Sequence, residues 1–232
     1  MIKQYTIYGE RCSGTNYLIR LMEQNFDICN VTHDLEMSNE NNWNYGNKHF
    51  FGFYEDKLKE SDNTLFICIV RNPVDWLNSL YKNPWHICNE IRGNVNKFLN
   101  DEFYSYNDAS GPRYGTEIMQ DRNMYTGERY KNIFELRHTK LKFMIEDLPN
   151  LVKHYVFIKH EDLVNDFENT MNKIKDTGLC VKPQIKFPLN WIFYKDLKEE
   201  IYKKKEYKEI SKDLILKSPH LIEEYEKKLG YL

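Results

Sequence analysis

Several things are missing from this chain. No apolar run approaches the roughly 20 residues that a membrane-spanning helix requires; Leu65 to Val70 (LFICIV) is the longest, at six residues. The opening stretch MIKQYTIYGERC holds one lysine and no apolar leader core, which predicts a protein kept in the cytoplasm, away from membranes. A dominant charge is also missing. The 33 Lys+Arg and 35 Asp+Glu residues leave a net charge of −2, which excludes a strongly basic reader of nucleic acid but not a small basic pocket. Five cysteines, at 12, 29, 68, 88 and 180, are odd in number and show no CxxC or zinc spacing. Free thiols in a reducing compartment and no metal site are expected. No repeat, and no stretch rich in Pro, Ser or Gly, marks a linker, so the 232 residues are expected to form one domain around one core.

The apolar pattern supplies the elements. Tyr5 to Tyr8 (YTIY) is a β-rich run that meets Gly9, and from Thr15 the residues Tyr17, Leu18, Leu21, Met22 and Phe26 recur at helical spacing. Residues 27–47 are polar and Asn-rich, a loop. Phe50, Phe51 and Phe53 predict a second short strand beginning near Lys48. Leu65 to Val70 has the continuous apolar character of a strand buried on both faces, and Pro73 suits the first turn of a helix over Val74 to Tyr81. Residues 83–128 hold four of the ten glycines and few apolar repeats, as expected of a lid or acceptor-binding insertion. A helix over Ile133 to Ile145, a strand over Tyr155 to Ile158, a helix from Val164 to Asp176 and a helical tail from Lys195 complete the reading. Strands alternating with helices predict an α/β fold with a parallel central sheet flanked by helices.

Two segments have the chemistry of phosphate binding. Gly9-Glu10-Arg11-Cys12-Ser13-Gly14-Thr15 has the G-x-x-x-x-G spacing of a loop that aims backbone N–H groups and a helix N-terminus at an anion. Ser13, Thr15 and Asn16 add side-chain donors. A plain strand-to-helix turn has the same pair of glycines, and Thr15 stands where a nucleoside-triphosphate loop carries lysine. The second segment is Arg71-Asn72-Pro73-Val74-Asp75-Trp76-Leu77-Asn78-Ser79, directly after the buried strand. Arg71 falls at a strand's carboxyl end, where open α/β sheets bind ligands, and a guanidinium grips phosphate bidentately. Ser79 lies about two helical turns further on. A structural ion pair for Arg71 is the competing reading.

Taken in order, SGTNYL after the first strand, RNPVDWLNS after the buried strand, and Ile158-Lys159-His160-Glu161-Asp162-Leu163 after a later one resemble the sulfotransferases that use 3′-phosphoadenosine 5′-phosphosulfate (PAPS). The resemblance spans about residues 4–180. It implies a P-loop-like nucleotide-binding fold of the sulfotransferase type. It also implies that Arg11, Cys12, Ser13, Gly14, Thr15 and Asn16 hold the 5′-phosphosulfate while Arg71 and Ser79 hold the 3′-phosphate. Three departures stand out. Cys12 occupies the place where the family usually has Lys or Arg, so Arg11 or Lys48 is expected to supply that charge. His160 replaces the usual Tyr. The late basic loop is not recognisable, and Lys198 and Lys203 to Lys205 read as an exposed helical face.

Sulfuryl transfer is mostly positioning plus cationic stabilisation of oxygens that gain charge, helped by a general base. In the family, a Lys and a His or Glu near Lys48-His49 serve as clamp and base. His49 is therefore the expected base and Lys48 its cationic partner, with His33-Asp34 as runner-up. Arg137 and Lys140 read as a solvated helix face, and the aromatic residues Trp85, Tyr104, Tyr106 and Tyr114 receive no role. The expected reaction moves a sulfuryl group from PAPS to a hydroxyl or amine of a small-molecule or glycan acceptor. The alternatives are an inactive fold that binds a nucleotide or glycan, or an ATP-dependent small-molecule kinase.

Overall fold

The computed structural model describes residues 1–32, 45–52, 55–108, 114–183 and 208–232. His33, Asp34, Phe53, Lys198 and Lys203 to Lys205 lie outside the described residues, as does the first part of the predicted helical tail.

Four strands form one parallel sheet in the order β2-β1-β3-β4: β1 is Gln4–Tyr8, β2 Cys29–Asn30, β3 Thr64–Val70 and β4 His154–Lys159. The expected parallel α/β architecture is present. β1 pairs along its length with β3, from Gln4 opposite Thr64 to Tyr8 opposite Cys68. The run LFICIV is buried throughout because helices cover both sides of the sheet. Leu65, Ile67 and Ile69 pack with Leu18, Leu21 and Met22 of α1 (Thr15–Asn25), whereas Phe66, Cys68 and Val70 pack with Leu141, Phe143 and Leu148. Alternate residues of one strand thus serve two separate apolar layers.

The helices follow the strands. α2 (Glu55–Lys59) precedes β3, and α3 (Pro73–Lys82) begins with Pro73 in its first turn, as the sequence predicts. After α4 (Val95–Asn100), α5 (Ile133–Lys142) continues through a wider π turn at Phe143–Asp147 into α6 (Leu148–Leu151). The single helix expected over 164–176 is instead two, α7 (His160–Asn165) and α8 (Phe167–Lys175), broken where Asp166 leaves helical geometry at φ −139° and ψ 55°. α9 (Lys212–Leu216) and α10 (Glu223–Lys228) close the chain.

Two expectations change. The strand predicted near Lys48 does not form, and the second strand is Cys29–Asn30, inside the stretch expected to be loop. A strand would send Phe50 and Phe51 to opposite faces. Both are instead buried consecutively: Phe51 stacks on Tyr8 with ring centres 4.8 Å apart, and Phe50 lies beneath the cations of Arg11 and Lys140. Gly52, at φ 103°, then turns the chain past Met124, and a Cβ there would lie 2.6 Å from its Sδ. The segment 83–128 is also less loop-like than its composition suggests. Ile87, Cys88, Ile91, Phe98, Leu99 and Phe103 are buried against α3 and the start of α5 in one apolar cluster.

Candidate functional site

β1 leads through α1 to β2 on one side, while β3 lies on its other side and leads onward to β4. The strand order therefore switches direction between the parallel β1 and β3, and the crevice at the carboxyl ends of these two strands is where such sheets bind ligands. The loop Gly9–Gly14, the 47–52 segment and the start of α3 all meet there.

Close packing shapes the loop. A Cβ on Gly9 would lie 2.6 Å from the Ile69 carbonyl oxygen of the neighbouring strand, and Gly14, at φ 101°, would place one 2.6 Å from His160 Cδ2. Both positions accept only glycine without a shift of neighbours. Gly14 caps α1 without a side chain, and the first turn of α1 has no acidic residue. The N-terminal N–H groups and positive dipole end of α1 therefore have neither a side-chain cap nor an acid in that turn. Ser13 turns inward: its Oγ donates to the Glu10 carbonyl at 2.5 Å. Thr15 is buried and Asn16 exposed.

Arg71 and Ser79 converge on Cys12. Arg71 Nη1 donates to the Cys12 carbonyl at 3.3 Å, and Ser79 lies beside the Cys12 thiol, where its hydroxyl favours the charged form. Burial pushes that thiol's pKa up despite Ser79 and the nearby guanidinium groups, so Cys12 is a neutral thiol in a left-handed backbone position at φ 63°. Arg71 is 9% exposed, and its Nε has no hydrogen-bond acceptor among the described residues. Lys48, also buried, extends Nζ to Asn16 Oδ1 at 2.7 Å, in the first turn of α1. His49 Nδ1 lies 2.6 Å from the Gly9 carbonyl, and because a carbonyl only accepts, Nδ1 carries the proton. In neutral His49 the acceptor lone pair is then on Nε2.

Arg11 does not face the loop's opening. All five of its N–H groups are used: toward Glu10 Oε2 from Nε and Nη2 (3.3 and 3.2 Å), toward the His86 carbonyl and Ser105 Oγ from Nη1 (3.0 and 2.7 Å), and toward Asp121 Oδ2 from Nη2 (3.0 Å). Phe50 and Phe103 pack on its guanidinium. Lys48 at Asn16 and Arg71 at the Cys12 carbonyl, rather than Arg11, are placed against the loop and the first turn of α1.

Arg137 and Lys140 are not solvated as expected; both are buried. Arg137 pairs with Glu226 and donates to the Arg71 carbonyl at 3.0 Å, and Lys140 pairs with Glu10 and Asp121. Burial acts to raise the pKa of Glu10, but Arg11 and Lys140 overcome it and hold the carboxyl below its usual range.

Five contacts escaped the sequence reading. Trp76 Nε1 donates to the Arg11 carbonyl at 2.8 Å and fastens the loop to α3. Asn72 Oδ1 caps α3 by accepting from Asp75 N at 2.8 Å, while its own N and Nδ2 both donate to Glu161 Oε1 at 2.9 Å. Tyr231 OH donates to Glu161 Oε2 at 2.9 Å. Asn78 exchanges hydrogen bonds with the backbone of Ile210. The motif residues Asn72 and Glu161 were visible, but nothing in the sequence showed that they meet. Among the described residues no His, Cys, Asp and Glu side chains cluster as a metal site, and no helix is long and apolar enough to cross a membrane.

No protein family and no curated protein matches the chain. Among solved structures, the chain is similar to the crystal structure of mouse sulfotransferase SULT7A1 complexed with PAP, at 14% identity and a TM-score of 0.43. That match covers 75% of this chain and 58% of the mouse chain.

Proposed function

We propose that this protein transfers a sulfuryl group from PAPS to a hydroxyl or amine of a small-molecule or glycan acceptor. One observation carries the reading. At the strand crossover, the almost fully buried Arg71, beside the Cys12 carbonyl in the loop that opens α1, keeps an Nε that has no acceptor among the described residues. A buried guanidinium N–H left unmet costs free energy that an anion would recover.

The residues fit such a ligand. Gly9 and Gly14 allow the backbone its close turn, Thr15 and Asn16 begin a helix that favours negative charge, and Arg71 with Ser79 stands on the α3 side. Bound there, PAPS supplies the sulfuryl group that moves. The chain's own part is to hold anionic oxygens at the start of α1 and at Arg71, and to place the Lys48 ammonium at Asn16 to offset charge that builds during transfer. His49, its proton fixed on Nδ1 by the Gly9 carbonyl, presents Nε2 to take the acceptor's proton. Positioning and electrostatics of this kind suffice for group transfer between oxygens.

Thermal unfolding with 3′,5′-bisphosphoadenosine (PAP), compared with ATP and magnesium, tests the reading. PAP at 100 times its dissociation constant adds about 2.7 kcal/mol, which raises Tm by about 5–10 °C for a domain of this size. A rise with ATP and magnesium alone would assign the loop to phosphoryl transfer. No rise with either would make Gly9–Gly14 a plain turn.

A further inference from the structure

Lys140 lies on α5, far along the chain from the loop and from His49, and its surroundings are unusual for a lysine. It is 1% exposed, and its Nζ lies over the rings of Phe50 and Phe51. Its three N–H groups have three acceptors: Glu10 Oε1 in the loop, Asp121 Oδ1 beyond the 83–108 segment, and the backbone carbonyl of His49 at 2.7 Å. Asp121 also accepts from Arg11 and from Ser105 Oγ. Two acids and two bases thus form a buried, charge-balanced cluster. A neutral cluster with every donor met is the arrangement in which buried charge is tolerated.

The geometry points to Lys140 as a positioning residue for His49, an inference that rests on His49 being the proton acceptor proposed above. His49 is tied to the loop at two points. Lys140 joins its carbonyl to Glu10, and its own Nδ1–H donates to Gly9, the residue before Glu10. The Lys48 carbonyl accepts from Gly9 N at 3.0 Å and completes the attachment. The ammonium therefore fixes the backbone on which the imidazole turns, and so the nitrogen that carries the proton. Glu10 and Asp121 balance the charge, and the third bond, to the His49 carbonyl, is the one that reaches the proposed base.

Histidine ¹⁵N NMR of the full chain at pH 7.5 tests this, with the His49 signals assigned by their loss in His49→Gln. The wild type is expected to show one neutral tautomer, protonated on Nδ1. Lys140→Arg keeps the charge but cannot bring three acceptors to one nitrogen. Lys140→Met with Asp121→Asn keeps the cluster neutral. In whichever of these folds, judged by far-UV circular dichroism, the His49 tautomers are expected to average, while the PAP dissociation constant by calorimetry changes less than threefold. An unchanged His49 spectrum in a folded variant overturns the inference, and so does an Nε2-protonated tautomer in the wild type. If neither variant folds, Lys140 is a stability residue and the inference also falls. Failure of the wild type to bind PAP would overturn the proposed function separately, since the tautomer readout needs no ligand.

Discussion

Two arginines flank the Gly9–Gly14 turn, and substituting them should have different consequences. Arg71 has a buried Nε without an acceptor among the described residues, so Arg71→Ala removes a binding group while leaving the fold. The PAP dissociation constant is expected to weaken by about 2–5 kcal/mol, the range for one half of a desolvated charge pair. An unchanged constant in calorimetry would make Arg71 structural. Arg11 meets Glu10, Asp121, Ser105 and His86 with every N–H, so Arg11→Met leaves two buried carboxylates sharing the single cation of Lys140. That change is expected to cost about 3–5 kcal/mol of stability in urea unfolding, and a loss below 1 kcal/mol would contradict the cluster. At His49, replacement by Ala should lower turnover by about 10²–10⁴-fold with PAP affinity nearly intact; equal turnover would remove His49 from the mechanism. Both arginines read alike in sequence, as cations offered to a phosphate, Arg11 within the glycine turn and Arg71 at a strand's carboxyl end. What separates them is the company each keeps, supplied by residues such as Asp121, 110 positions away from Arg11.

At the scale of elements, α3 organises the crevice. Within its ten residues and cap, Asn72 binds Glu161, Trp76 holds the Arg11 carbonyl, Asn78 holds Ile210, and Ser79 meets Cys12. Asn72→Ala deletes the cap and the side-chain half of the link to α7, leaving the backbone N–H on Glu161. A loss of about 1–2 kcal/mol is expected, read as a lower urea midpoint at constant slope; an unmoved midpoint would mean that Glu161 and Asp75 find other partners. The start of this helix was legible, because Asn-Pro after an apolar run is a helix-start signal with a physical cause. The strand expected near Lys48 was not, because consecutive phenylalanines promise burial without saying whether a sheet or a pair of cations covers them. Here Arg11 and Lys140 do.

Across the whole molecule, buried carboxylates tie distant segments, and acid should loosen them together. Burial works to raise the pKa of Glu161, but the Asn72 backbone N–H, with Tyr231 and the Asn72 amide, holds it below the usual range, as Arg11 and Lys140 do for Glu10. A carboxyl with a depressed folded pKa contributes stability that is present above its unfolded pKa of about 4.3 and is lost as pH falls through the folded value. Asp121 works the other way, since burial raises its pKa. With Glu10 and Glu161 depressed against Asp121 raised, Tm is expected to fall as pH drops below about 4.3, through the depressed folded values. Glu161→Gln should lower Tm at pH 7 and flatten the fall; a parallel curve would show that Glu161 does not contribute to the pH dependence.

The parallel α/β layout, the two-faced burial of LFICIV, and the glycine turn and Arg71 at strand ends were legible in the chain's own residues. These follow from local causes, namely periodicity, glycine and proline geometry, and the order of segments. Which cations face the crevice and which are neutralised inside depended on the folded arrangement. Lys140 and Glu10 stand 130 residues apart, and Arg137 and Glu226 stand 89 apart, yet each pair is buried in contact. Whether a charge is available to a ligand depends on desolvation and on the partner that meets it, and chain folding fixes both.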